Sequence, residues 1–339
     1  MSRVINILMS GTAITAAVIV GYKVIKSTIK KNFRSDKQTS EKAKIKKWCN
    51  ADKKYPTLQS SNWRKIGQVV DLAIFPVKSS NISLNSDSFE FRDYGMCRQN
   101  FGTYIWDGMF AVYNETKGKF EDSRRYPLLR SLCTQLTNPG EVTFSSDRLS
   151  EVVTLNINRD RNPFNQIVMK TWNGTLKTFY GSDLHVNTWL KNWIDDDDET
   201  NEDVTLAQMQ PRNGSWTERI KDNWFRFVQG YEAMEEDETG KFITLPRFVL
   251  MTSKTRLEID GKVKHVAPNI IVDTDDESIN PFIEKTWDWI KIGDDVILRK
   301  VKPVPSADER IQHKGIYCAL WSGGNVKMND EAYIYYSDI

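Results

Sequence analysis

The sequence predicts a β-dominated α+β body preceded by a single N-terminal transmembrane helix. Three observations carry that expectation. Period-two alternation recurs along the chain, as in VVTLNIN over 152–158. Turn dipeptides, Asn173-Gly174 and Asp260-Gly261, separate apolar runs. Between Arg3 and Lys23 lie 19 residues without a charge, Val4 to Tyr22.

Taken in order, the apolar run comes first. As a helix it is about 28 Å long, against roughly 30 Å of bilayer hydrocarbon. Lys23, Lys26, Lys30, Lys31, Arg34 and Lys37 come directly after it. Such a cluster resists translocation and keeps the C-terminal body on the cytoplasmic side, with the N-terminus outside. The same lysines and arginine suit contact with anionic lipid headgroups. Ala13, Ala17 and Gly21 recur every four residues, a spacing that lets two helices approach closely in a membrane. A cleaved export signal and a first core helix are the alternatives.

Charge divides the chain. Residues 1–65 hold 15 Lys+Arg against Asp36, Glu41 and Asp52, a net of +12, and the remainder carries −10. The expected organisation is an anchor over 1–26, a basic juxtamembrane linker over 27–62 and a globular body over 63–339. The linker faces lipid or solvent in this reading, and a nucleic-acid partner is the less favoured one. A homo-oligomer and an unidentified protein partner complete the expected partners.

In the body, VVTLNIN, FNQIVMKTW (164–172) and TLKTFY (175–180) read as a meander. A two-residue turn at Asn173-Gly174 opposes Met169 to Thr178, Ile167 to Tyr180 and Thr171 to Leu176. TRLEIDGKVKHV (255–266) reads as a hairpin with Gly261 as a bulge, pairing Leu257 with Val263. Further strands are expected at 69–77, 103–113, 242–251, 269–274, 295–301, 315–321 and 332–336. Helices are expected at 125–136, 183–194 and 281–290. The capping box Ser215-Trp216-Thr217-Glu218 opens another.

Known chemical signatures are absent from the sequence. It has no Gly-rich phosphate loop with Lys-Ser/Thr, no HExxH, no G-x-S-x-G and no GxGxxG. His185, His265 and His313 are far apart, and Cys49, Cys97, Cys133 and Cys318 make no CxxC pair. No cofactor is expected. Two acidic stretches offer oxygen ligands for a hard cation, through Asp195 and Asp197 and through Asp273, Asp275 and Glu277. Both read better as solvated loops. Four N-x-S/T sequons, at Asn81, Asn114, Asn173 and Asn213, are close to what chance yields in this composition. The resulting expectation is a single-pass, membrane-anchored structural or adaptor protein presenting a β-rich interaction domain to the cytoplasm. A viral or phage membrane component would share that layout. The alternatives are a membrane-tethered enzyme with a carboxylate or metal-dependent site, and an exported protein after signal cleavage.

Overall fold

A computed structural model describes residues 56–92, 94–100, 102–158, 166–170, 176–194, 202–209, 248–263, 267–276, 278–306 and 308–335. All of them fall in one unit, Pro56–Ile339. The described body is β-dominated, as the alternating runs predict.

The centre is a closed barrel of seven strands: β1 (Trp63–Ile74), β14 (Phe248–Thr252), β15 (Ile270–Thr274), β16 (Trp289–Ile292), β17 (Val296–Pro303), β18 (Ile316–Ser322) and β20 (Glu331–Tyr335). Neighbours run β15-β14-β18-β17-β16-β20-β1, and β1 pairs back onto β15 to close the ring. Closure leaves no unpaired edge among these seven. All pairs are antiparallel except β14–β15, which is parallel. A parallel pair needs a crossover. Helix α2 (Ser253–Ile259) lies in that connection.

Alternation explains the barrel's two faces. Phe248, Leu250, Ile270, Val272, Ile290, Ile292, Val296, Leu298, Ile316, Cys318 and Leu320 belong to the main core. Their immediate neighbours point the other way. Met251 and Ile271 meet Ile259 of α2, Phe282 and Ile311. Trp289, Ile297 and Trp321 form a separate cluster with Leu58, Trp63 and Tyr335. Strands covered on both sides therefore read as near-continuous apolar runs, such as VILRKV and IYCALW.

One position on β1 needs glycine. Gly67 lies opposite Thr274 of β15, and a Cβ there would fall 1.8 Å from the Asp273 carbonyl oxygen. The β1–β20 and β1–β15 ladders both shift register beside it, between Lys65 and Gly67 and between Val69 and Asp71. Such bulges bend a long strand so that it can serve two neighbours.

Three smaller sheets pack around this barrel. One has the order β19-β3-β4-β5, from Gly324–Lys327, Ser88–Arg92, Gly95–Asn100 and Thr103–Trp106. Phe91 of β3 stacks on Phe248 of β14 at 5.3 Å, which joins that sheet to the barrel. A five-stranded sheet runs β11-β12-β13-β6-β7, from Gln166–Lys170, Leu176–Gly181, Val204–Met209, Phe110–Asn114 and Lys119–Glu121. The third has the order β10-β9-β8, from Val153–Asn156, Glu141–Ser145 and Cys133–Asn138. Phe110 meets Phe144 edge-on at 5.1 Å between the last two. The short β2 (Leu84–Asn85) pairs with the end of β1. Helix α1 (Leu184–Ile194) buries Val186, Trp189, Leu190, Trp193 and Ile194, the spacing of one helical face. Asp183 Oδ1 caps it, accepting from the Val186 N–H at 2.9 Å.

Several expectations are corrected. The hairpin at 255–266 is helix α2 instead. Thr252 caps its start by accepting from the Thr255 N–H at 3.1 Å. Gly261, at φ 68°, ends it in the left-handed conformation, with the Lys262 and Val263 N–H groups returning to the Ile259 carbonyl. Asp-Gly here is a helix stop, not a strand turn. The helix expected at 125–136 is a 3-10 turn, Pro127–Ser131, followed by strand β8. Pairing with β9 overrides the local helical pattern. The meander is also divided. β10 pairs only with β9, whereas β11 and β12 lie in the five-stranded sheet. That hairpin exists, but in a register one residue away, with Ile167 opposite Phe179. The observed register sets Ile167 against the buried Phe179 instead of Tyr180, and one residue of slip exchanges the faces. TYIWDGMFAVY breaks in two at Asp107-Gly108. PFIEKTWDWI is a 3-10 turn, Ile283–Thr286, leading into β16. The capping-box helix and Val4–Tyr22 lie outside the described residues. No helix among the described residues is long and apolar enough to cross a membrane.

Candidate functional site

The barrel and two of the smaller sheets meet at the loop between β1 and β2. Pro76 has no N–H to donate, so the ladder cannot simply continue there. Residues 75–83 leave the barrel and are held by neighbours on two sides. From the turn between β5 and β6, Asp107 Oδ1 accepts the Phe75 N–H at 2.8 Å. The Phe75 carbonyl accepts from Gly108 at 2.9 Å, and that of Pro76 from Phe110 at 2.8 Å. The Lys78 N–H donates back to the Phe110 carbonyl at 2.8 Å. From the segment before β8, the Arg130 carbonyl accepts from Asn81 at 3.0 Å. Ser80 Oγ, almost fully buried, donates to the Leu132 carbonyl at 2.9 Å.

Between these anchors Ser79 has φ 70°. A non-glycine residue held in that region costs about 1–3 kcal/mol and persists only where its surroundings over-determine it. The hydrogen bonds on both sides do so.

The loop carries Lys78, and the segment that anchors it carries Arg130. Lys78 and Arg130 are half-buried. Burial works against the Asp122 carboxylate, yet the Arg124 side chain and backbone N–H, with Lys78 nearby, hold its pKa below the ordinary range. Arg125 is committed to Glu202, 3.1 Å away. Glu202 also accepts from Tyr126 at 2.8 Å and Asn114 at 2.6 Å. Lys117 foremost, then these partners, hold the Glu202 carboxyl at about 2. The Nε–H groups of Arg125 and Arg130 are both buried without a hydrogen-bond partner, but among the described residues no carboxylate is paired with Arg130 as Glu202 is with Arg125. A buried donor left unmade costs about 1–3 kcal/mol. An anionic oxygen at this point would satisfy it, which is the chemistry this arrangement offers.

A second constellation lies on the barrel's outer side. Glu284, fully buried, accepts from Thr255 Oγ1 at 2.9 Å and Thr252 Oγ1 at 3.4 Å through one oxygen. Its other oxygen has no hydrogen-bond partner and lies 4.0 Å from His313 Nδ1. Burial raises the Glu284 pKa to about 6 and lowers that of His313. His313 Nδ1 accepts from the Gly315 N–H at 3.2 Å, which leaves Nε2 to donate to the Phe282 carbonyl at 3.2 Å. That is the neutral ring. With exposures of 0% and 1% these groups cannot touch a substrate. They hold α2 and two loops together.

Of the carboxylates singled out from sequence, Asp273 is exposed on β15 and Asp275 lies 3.9 Å from Lys65. Among the described residues no group of three His, Cys, Asp or Glu could hold a metal ion. Asp195, Asp197 and Glu277 lie outside the described residues, as do the six cations from Lys23 to Lys37 and Ala13, Ala17 and Gly21. His185 is exposed on α1, and His265 is also outside. Of the described sequons, Asn81 is exposed and Asn114 fully buried. Sequence reasoning missed Lys78, Ser79 and Arg130. The PVKSS stretch after an apolar strand is their only local signal, and nothing in it points to Arg130.

The chain has no match among the curated proteins. Residues 66–197, about two fifths of the chain, match the MOSC N-terminal beta barrel domain. The match includes the 75–83 loop and every residue named here as anchoring it. It corrects the expectation of a single-pass, membrane-anchored structural or adaptor protein with a signal-anchor: the similarity is to a domain of MOSC type, and no described helix can cross a membrane.

Proposed function

We propose that this chain is a MOSC-type binding protein that takes an anionic, phosphate-bearing small molecule at the 75–83 loop. One observation carries the reading: the buried, unpartnered Nε–H of Arg130 beside a loop whose Ser79 is held in a strained conformation. Arginine suits phosphate because its planar donors match the anion's oxygens. Lys78, on the loop itself, adds a second positive charge. The domain match supports the reading because its span contains the whole site.

Thermal unfolding of the full chain with inorganic phosphate and pyrophosphate tests it. A ligand bound only by the folded state at 100 times its Kd stabilises by about 2.7 kcal/mol. The expected result is a concentration-dependent rise in Tm that Arg130→Met removes and Lys78→Met weakens. Arg130→Met keeps much of the side chain's bulk, so a loss of response is readable. No shift at millimolar pyrophosphate, or a shift that Arg130→Met leaves intact, overturns the proposal.

A further inference from the structure

The matched domain's name refers to molybdenum cofactor sulfurase, and so brings with it a molybdenum-bearing cofactor. Whether this chain could grip the metal with its own sulfur depends on where its thiols sit. A thiolate, not a thiol, is the ligand, so a gripping cysteine must be reachable and able to lose its proton.

The described cysteines do not meet that need. Cys318 lies in β18 facing the barrel's core, 1% exposed. Burial drives its thiol far above the ordinary range, which keeps it protonated. Cys97 lies in β4 with no exposure, and its sulfur accepts from the Tyr94 hydroxyl at 3.8 Å. Cys133 is half-exposed, on β8 at the edge of the three-stranded sheet and opposite Ser145. It belongs to no group of three potential ligands among the described residues. His313 is sealed in the core and engaged at both ring nitrogens.

We infer that none of the described cysteines, Cys97, Cys133 and Cys318, holds molybdenum as a thiolate ligand. What the described residues offer such a cofactor is contact with its organic, anionic portion. Two of these thiols do not fit a metal anchor because the strands that carry them turn them into the main core.

The test combines metal content with thiol accessibility in the full-length protein, purified from molybdate-fed cells that make the cofactor. Molybdenum per chain is measured by mass spectrometry for wild type and for Cys49→Ser, Cys97→Ala, Cys133→Ser and Cys318→Ala. Iodoacetamide labelling in native buffer is read at each cysteine, which needs no variant to fold. Two results support the inference: little molybdenum in any form, or molybdenum that no folded variant of Cys97, Cys133 or Cys318 loses. In both, Cys97 and Cys318 label only after denaturation. Stoichiometric molybdenum lost in a folded variant of Cys97, Cys133 or Cys318 overturns it, as does rapid native labelling of Cys97 or Cys318. The phosphate response of Arg130→Met is a separate readout, so failure of the binding proposal and failure of this inference are distinguishable.

Discussion

Glu284 and His313 show how burial sets a charge state. Each sits where its charged form is disfavoured, and each would respond to pH with the opposite sign. The Glu284 pKa rises from 4.5 to about 6 on folding. Its contribution is therefore fully present below pH 4.5 and lost as pH rises through about 6. The size is about 2 kcal/mol, from 1.36 kcal/mol per unit. His313 is lowered from 6.5 by burial, with Lys285 adding to the effect. Its contribution is present above pH 6.5 and lost on acidification. The two offset each other between pH 4.5 and 6.5. Relative to wild type, Glu284→Gln should lose stability as pH falls through that window, and His313→Gln should gain it. Urea titrations of the three proteins at pH 4.5, 5.5, 6.5 and 7.5 check this. Parallel profiles for all three would show that the pair is not linked to folding.

At the level of elements, β1 carries the largest structural demand. It pairs with β20, β15 and β2 along one run of twelve residues. Gly67 lets it do so, since the Asp273 carbonyl occupies the space of a Cβ. Gly67→Ala must push β1 and β15 apart. The expected loss is about 2–4 kcal/mol, at the upper end for overpacking because the obstructing atom is backbone. Denaturant unfolding measures it, and a loss under about 1 kcal/mol would mean the ladder opens there at little cost. Elements also show why some sequence readings failed. Asp260-Gly261 is compatible with a bulged hairpin and with a helix stop, because glycine supplies positive φ in both. Thr252 decides between them by capping a helix, and Thr255 by reaching Glu284. Nothing near residue 260 in the sequence reveals Glu284. The β11–β12 hairpin was legible from its flanking apolar runs, but its register depended on Phe179 facing the core.

The whole molecule does not divide where the domain match ends. The match covers 66–197, yet β1 is the only barrel strand inside it. The other six come from Phe248 onward. One apolar cluster runs through the barrel and the smaller sheets without interruption. Asn269, 3% exposed, stitches the halves together. Its amide donates to the Ala73 carbonyl at 3.2 Å and to Asp107 at 2.9 Å, and its oxygen accepts from Val249 at 2.9 Å. A fragment of residues 56–209 would leave β1 without β15 and β20, and the core open along one side. It is expected to lack a cooperative thermal transition, whereas the full chain unfolds its described body in one step. Near-ultraviolet circular dichroism during heating checks both. A fragment that melts sharply would make the matched region an independent domain.

The sequence alone determined that the body is built from strands, where most of them run, and that α1 forms at 183–194. Those properties arise from period-two and period-3.6 burial, which neighbouring residues encode. The tertiary structure alone decided which strands close into a barrel, which Asp-Gly ends a helix, and that the loop of Lys78 and Ser79 is tied to the segment of Arg130. It also decided that Cys97 and Cys318 are core residues. Each of these depends on partners tens to hundreds of residues away. Burial and charge at such places are properties of the assembled core, and no local pattern carries them.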